Sequence, residues 1–238
     1  DGRAHRDRRR VGACAMSAAL AGVRLLVSAG PTYEDIDPVR FIGNRSSGKM
    51  GFAIAAVAAE RGAEVVLVAG PVNMATPAGV RRIDVRSALQ MHEAVVGALP
   101  CDVYIGAAAV ADFTPQAIAS NKLKKQPGQD TLVLELVKTR DILAEVAAHV
   151  ARPRLVVGFA AETDNVAGYA RGKLERKGVD LICANRVGIA GGGFESDDNA
   201  LLVIDRDGER ALGPASKTAL AGELLDIVAA RLSERGRG

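Results

Sequence analysis

Five short segments of this sequence are apolar almost without interruption: Arg24–Ala29, Glu64–Ala69, Val103–Ala107, Leu155–Gly158 and Val179–Ala184. A strand with one wet face alternates polar and apolar residues, whereas a strand covered on both faces does not. Between them lie stretches with helical patterning: Gly48–Arg61, Ser87–Leu99, Arg140–Val150, Asn165–Lys177 and Ser216–Leu232. That alternation predicts an α/β fold, a Rossmann-like, mostly parallel sheet flanked by helices. Ser87 and Asp164 are suited to cap two of the helices. Two stretches break the rhythm. Residues 112–138 read as an inserted polar loop followed by an extra strand over Thr131–Val137. Residues 185–205 bring Gly191-Gly192-Gly193 and a late strand over Ala200–Asp205.

A chain of 238 residues with 48% apolar content can bury one large domain, expected over 21–238, behind a linker or disordered tail at 1–20. The net charge of +3 belongs to the tail. Residues 1–10 hold five Arg and two Asp, which leaves 26 basic and 26 acidic side chains for the rest. With no Trp, five Phe and three Tyr, the chain lacks stacking platforms for single strands, so no nucleic-acid partner is expected. Nor is a membrane, since no run approaches the ~18 apolar residues of a span. Arg8–Arg10 and Cys14 resemble a lipoprotein leader, yet no apolar segment precedes Cys14. Cys14, Cys101 and Cys183 lie far apart and read as small hydrophobes in a reducing cytoplasm.

The first strand-to-helix connection takes roughly twenty residues, far more than an α/β turn needs. It is rich in Gly, Ser, Asn and Arg and ends at a helix start, where free N–H groups and the helix dipole favour anions. Gly43–Lys49 satisfies the body of a Walker A loop, but Met50 stands where a Ser or Thr hydroxyl is required. After the first strand, Ser28-Ala29-Gly30-Pro31-Thr32 lacks the dinucleotide G-x-G-x-x-G fingerprint. An ordinary solvated loop also remains open for this stretch.

His5, His92 and His149 stand apart from the glycine-rich loops, the last two expected on helix surfaces. A Ser-His-Asp engine or zinc site therefore lacks its parts. Cations are plentiful. Lys122-Leu123-Lys124-Lys125 occupies a loop, and Lys173 and Lys177 share one helix face at i, i+4, though both groups could equally be solvated surface. Loops after the strands bring Gly106 to Phe113, Thr139 to Leu143, Gly158 to Thr163 and Ala184 to Val187. Ligands of open α/β sheets bind at such carboxyl ends, so these loops point to one crevice.

Taken in order, Ser28-Ala29-Gly30-Pro31-Thr32, Asp37-Pro38-Val39-Arg40, Asn44-Arg45-Ser46-Ser47-Gly48-Lys49-Met50-Gly51, Ala108-Ala109-Val110-Ala111-Asp112, Lys122-Leu123-Lys124-Lys125, Gly158-Phe159-Ala160-Ala161-Glu162-Thr163 and Ala184-Asn185 resemble phosphopantothenoylcysteine synthetase of the bacterial, CTP-dependent kind. The resemblance spans the chain from Arg24 onward. It implies a ligase of coenzyme A biosynthesis that joins 4′-phosphopantothenate to cysteine through an acyl-cytidylate, with CTP and Mg²⁺. It also implies a homodimer whose inserted strands form the dimerisation element, and in many bacteria a fused flavin-dependent decarboxylase. By motif match, Lys122 serves acyl-cytidylate formation, while Asn44 and Arg40 serve its conversion to product, Asn44 by donating to an oxyanion. Ala108 is the small residue beside the reacting groups. The resemblance puts Gly106, Ala107 and Ala108 along CTP, with Asp112 and Phe159 by the ribose and cytosine. Arg140, Asp141, Ile142 and Leu143 bring a helix start. Lys173 and Lys177, with Mg²⁺, hold the phosphates, and Ser46 assists. Two rivals stand beside it: a nicotinamide- or flavin-dependent oxidoreductase, and a non-catalytic nucleotide-binding regulator.

Overall fold

The apolar segments lie side by side in one sheet. The computed structural model describes residues 19–125, 127–128, 130–162, 165–186 and 198–236. Its first half contains β1 (Arg24–Ala29), β2 (Tyr33–Asp35), β3 (Phe41–Gly43), α1 (Lys49–Glu60), β4 (Glu64–Ala69), β5 (Val80–Asp84), α2 (Ala88–Gly97) and β6 (Val103–Gly106). Then come β7 (Phe113–Pro115), β8 (Leu136–Lys138), α3 (Ile142–Ala148), β9 (Leu155–Glu162), α4 (Val166–Lys177), β10 (Leu181–Arg186), β11 (Asp198–Ile204), β12 (Glu209–Ser216) and α5 (Lys217–Arg235).

The main sheet has eight strands in the order β12-β11-β10-β9-β6-β1-β4-β5. From β10 to β5 every pairing is parallel, and β11 and β12 add an antiparallel edge. Period-two alternation divides the core. Leu25, Val27 and Ala29 of β1 face α1 and α5, while Leu26 faces the opposite layer of α2, α3 and α4. Each fully buried Leu contributes about 1.5–3 kcal/mol. The chain leaves β1 for β4 on one side and returns to β6 on the other. The gap between β1 and β6 is therefore the topological switch point where α/β sheets bind ligands.

Several expectations change. The core reaches back to Leu20, which is fully buried and donates its N–H to the Arg61 carbonyl. Residues 1–18 of the expected tail, Asp164 and Gly191–Gly193 lie outside the described residues. The long first connection is not structureless: β2 and β3 form a ribbon in it, and Tyr33 stacks on Phe41 at 3.9 Å. Of Thr131–Val137, only Leu136 and Val137 join a strand, β8, which pairs with β7. His92 is buried, not a surface residue, because α2 presents it to α3, where its Nε2 lies 2.6 Å from Glu145 Oε2. His149 follows the last residue of α3, and its Nδ1 accepts from the Ala151 N–H.

Two glycines set how α1 meets the sheet. Gly48 precedes the helix at φ 74, a left-handed conformation that costs other residues. At Gly51 a Cβ would lie 2.4 Å from the Ala29 Cβ, so α1 presses directly on β1. Both atoms would be fixed to backbone, and neither can rotate away. Gly51→Ala is expected to cost about 1–3 kcal/mol, read by urea unfolding at unchanged m. A loss below about 0.5 kcal/mol would mean that α1 is free to shift.

Candidate active site

Two adjoining hollows open at the carboxyl ends of β1, β6 and β9. The first, of about 450 Å³, is floored by Ser28 and Tyr104 and walled by Gly106, Phe159, Lys173, Lys177 and the segment 138–143. The second, of about 390 Å³, lies against residues 44–51 and 107–110 and reaches Asn185, Asn199 and Lys217. Ala108, Val110, Asp112, Phe159 and Lys173 line both, so the pair forms one crevice with a shared wall.

Local hydrogen bonding explains how each wall is held. Thr32, fully buried after β1, accepts from the Ala111 N–H at 3.0 Å, and its own N–H donates to the Ala109 carbonyl. Ala109 N–H donates in turn to the Gly30 carbonyl. The Ala108–Asp112 segment thereby lies across the end of β1. Thr139 closes the far side, donating its hydroxyl to Ala111 O and its N–H to Asp112 O. Small residues are needed here: at Gly106 a Cβ would sit 3.3 Å from the Tyr104 hydroxyl and 3.4 Å from Leu143. On the floor, Tyr104 Oη and Ser28 Oγ are 2.9 Å apart, and burial pushes the phenol up to about 12 despite that bond. Tyr104 is protonated at neutral pH.

Asn44 stands at the mouth of the second hollow. Its Nδ2 donates to the carbonyls of Ala109 (3.2 Å) and Val110 (3.1 Å). Two oxygens facing one end of the amide fix which end is nitrogen. This departs from the oxyanion role expected of its N–H groups, because both hydrogens already meet carbonyls. Oδ1 accepts none of the hydrogen bonds among the described residues, so the amide offers the hollow an acceptor. Ser46 Oγ accepts from the Gly48 N–H at 3.4 Å.

Lys173 and Lys177 line the first hollow together, one turn apart on α4. Lys173 Nζ donates to the Phe159 carbonyl at 2.7 Å, and Lys177 pairs with Asp141. Asp141 caps α3 by accepting from the Ala144 N–H, so the helix starts at Ile142, two residues later than expected, and Arg140 precedes it. Arg40 and Lys122 line neither hollow. Arg40 donates from both Nε and Nη2 to Oδ2 of buried Asp37, and Lys122 sits on an exposed loop beside it. Ser28, Tyr104, Asn199 and Lys217 were not expected at the site. The first two sit inside apolar strands, where a polar residue near the carboxyl end was the available signal.

Cys101 and Cys183 are buried, and burial pushes the Cys101 thiol up to about 12, so neither presents a nucleophile. No helix among the described residues is long and apolar enough to cross a membrane.

Comparison with known proteins agrees with this geometry. The chain is 53% identical over 210 residues to the coenzyme A biosynthesis bifunctional protein CoaBC of Vibrio cholerae serotype O1, a match that covers 88% of this chain and 53% of that protein. Identity to the protein of the same name from Escherichia coli K12 is 50% over 220 residues, covering 92% and 54% respectively. The chain thus spans about half the length of the curated relatives it matches. A crystal structure of the C-terminal domain of a CoaBC protein superposes with a TM-score of 0.78 at 40% identity, covering 92% of this chain and all of that one. The family model for the DNA/pantothenate metabolism flavoprotein C-terminal domain matches residues 20–232, and the chain belongs to that family.

Proposed function

We propose that this chain is a phosphopantothenate–cysteine ligase. In the first step the 4′-phosphopantothenate carboxylate attacks the α-phosphate of CTP, forming an acyl-cytidylate and releasing pyrophosphate. In the second the cysteine amine attacks the acyl carbon and CMP departs, leaving the amide. The observation that carries the reading is that motif residues scattered from Ser28 to Asn185 line two adjoining hollows at the sheet's switch point. The relatives' role in coenzyme A biosynthesis supports it.

The inventory suits this chemistry. A carboxylate with a pKa of about 4 is already ionised, so the first step needs charge neutralisation and positioning, not a base. Tyr104 is protonated and the cysteines are buried, which suits a site without a proton-abstracting nucleophile. In this reading Phe159 and Asp112 receive the base and ribose over the backbone of Gly106, Ala107 and Ala108. Lys173 and Lys177 exchange Phe159 O and Asp141 for phosphate oxygens. Arg140–Leu143 form the wall opposite, and Ser46 donates to phosphate from the start of α1. Among the described residues no group of three or more His, Cys, Asp or Glu could hold a metal, so the reading places Mg²⁺ on the triphosphate. Mg²⁺ supplies further neutralisation of the phosphates when bound.

The functional unit in this reading is a cytoplasmic homodimer, with a flavin-dependent decarboxylase fused where the relatives are longer. Val39, Phe41, Phe113, Ile118, Leu132, Val133, Leu136 and Val137 are exposed apolar residues on or beside β2–β3 and β7–β8. A second copy covering them would bring its own Arg40 and Lys122 to the crevice. Turnover tests the whole reading: CTP, 4′-phosphopantothenate and cysteine are expected to yield CMP, pyrophosphate and the amide in equal amounts. No product, together with a melting shift from NADPH but not from CTP, would favour the oxidoreductase.

A further inference from the structure

Asp37 joins the two cationic residues that line neither hollow. The residue is 1% exposed. Oδ1 accepts from the N–H groups of Val39 and Arg40, both at 2.9 Å, which closes the turn between β2 and β3. Oδ2 accepts from Arg40 Nε (3.1 Å) and Nη2 (2.6 Å), and also from the Leu123 N–H at 3.1 Å. Arg40 Nη2 then donates to the Leu123 carbonyl at 3.0 Å. Leu123 follows Lys122 directly. Apart from a 3.5 Å contact between Asn121 Nδ2 and the neighbouring Ser120 Oγ, these two bonds through Leu123 are the described hydrogen bonds that tie residues 121–125 to the rest of the chain. One buried carboxylate thus fixes a guanidinium and, across 86 positions, the backbone that carries a lysine.

We infer that Asp37 is a positioning residue of the reaction, acting through Lys122 and Arg40 by locking the lysine loop to the β2–β3 ribbon; this rests on the reading given under Proposed function. The Arg40 guanidinium, helped by three backbone N–H groups, holds the Asp37 carboxyl well below the usual carboxylate range. The lock stays charged throughout neutral pH. Burial sets a demand on this group, since an unpaired charge there would be costly and each donor satisfies it. Without the lock, Lys122 samples a loop's range of positions, and a displacement of about 1 Å can cost about 10²-fold in rate.

Asp37→Asn isolates the lock. The remaining oxygen can still serve the Val39 and Arg40 N–H groups, whereas the new NH₂ faces the Arg40 and Leu123 donors. Two measurements are made on the full chain: hydrogen exchange at the Leu123 amide without substrates, and single-turnover pyrophosphate release from CTP with 4′-phosphopantothenate. Exchange is expected to accelerate at least about tenfold. Pyrophosphate release is expected to slow by about ten- to a hundredfold, with KM for CTP changed less than about threefold. The double variant Asp37→Asn/Lys122→Gln should be no slower than Lys122→Gln alone, because the lock acts through that lysine. Unchanged exchange, release within about twofold of the parent, or additive slowing in the double variant would each overturn the inference. If Asp37→Asn fails to fold, Asp37→Ser keeps an acceptor for the turn and removes the oxygen that faces Leu123. A parent protein that releases no pyrophosphate sinks the ligase reading, while Leu123 exchange still decides whether the lock exists.

Discussion

Lys122→Gln is expected to abolish pyrophosphate release from CTP, with a loss of at least about 10²–10³-fold. The argument is about which cation can follow the charge that moves. As the carboxylate attacks, negative charge grows on the oxygen between the α- and β-phosphates and leaves with pyrophosphate. Of the three lysines assigned to the triphosphate, two already have protein partners: Lys173 on the Phe159 carbonyl and Lys177 on Asp141. In the proposed reading they exchange those partners for phosphate oxygens when CTP binds, so they meet charge already present in the ground state. Lys122 sits on an exposed loop and makes no ion pair or hydrogen bond among the described residues. It can meet the leaving group as charge develops, and an interaction made chiefly in the transition state lowers kcat and kcat/KM alike. Gln is one atom shorter, stays polar and loses the charge, whereas Lys122→Arg should recover part of the rate. Rapid-quench measurement of the first turnover checks this. Release within about threefold of the parent would remove Lys122 from the mechanism.

The ease of reading differed along the chain for physical reasons. β1 and β4 begin and end where their apolar runs do, because both faces of those strands are covered and apolar side chains fill most of their length. β5 escaped notice: it is an edge strand, and its Arg82 is accommodated over the Phe52 ring at 5.2 Å with a bond to the Met74 carbonyl. β12 is the opposite edge and contains Gly213-Pro214, which reads as a turn, although edges tolerate proline. Three-residue strands such as β2 and β3 have no period to detect. Their pairing is held by the Tyr33–Phe41 stack, with the Arg86 guanidinium 5.6 Å from both ring centres. Helical periodicity placed His92 on α2 but could not show that α3 would cover it. The crevice was more legible, because each strand end brings a contiguous motif to the switch point. What stayed hidden was the tie between Asp37 and Leu123, since no local pattern reports a bond across 86 positions.

Asn44→Asp is expected to let the first half-reaction proceed and to stop the second. Acyl-cytidylate should accumulate even with cysteine present, and amide formation should fall by at least about 10²-fold. Asn44 turns its Nδ2 toward the carbonyls of Ala109 and Val110 and leaves Oδ1 without a described partner. A neutral carbonyl oxygen can accept an N–H from the incoming amine and aim its lone pair at the acyl carbon. It does so without raising the amine's pKa. A carboxylate changes both halves of that arrangement. One of its oxygens must face two carbonyl oxygens, which repels the 44–48 loop from the Ala108–Asp112 segment. The other would hold the amine as ammonium, because an adjacent opposite charge favours the protonated form, which has no lone pair to donate. Neither change alters Lys173 or Lys177, the α4 lysines of the first hollow to which the proposed reading assigns the triphosphate. First-turnover pyrophosphate release should therefore match the parent within about threefold, in contrast to Lys122→Gln. The amine effect also carries a pH signature. Raising the pH deprotonates more of the bound amine, so the residual amide-forming rate of Asn44→Asp should keep rising beyond the pH at which the parent levels off. Mass spectrometry of quenched reactions reads the intermediate directly. If none is trapped while pyrophosphate release is also lost, Asn44 acts before the acyl-cytidylate forms, and the orienting role of its Oδ1 is wrong.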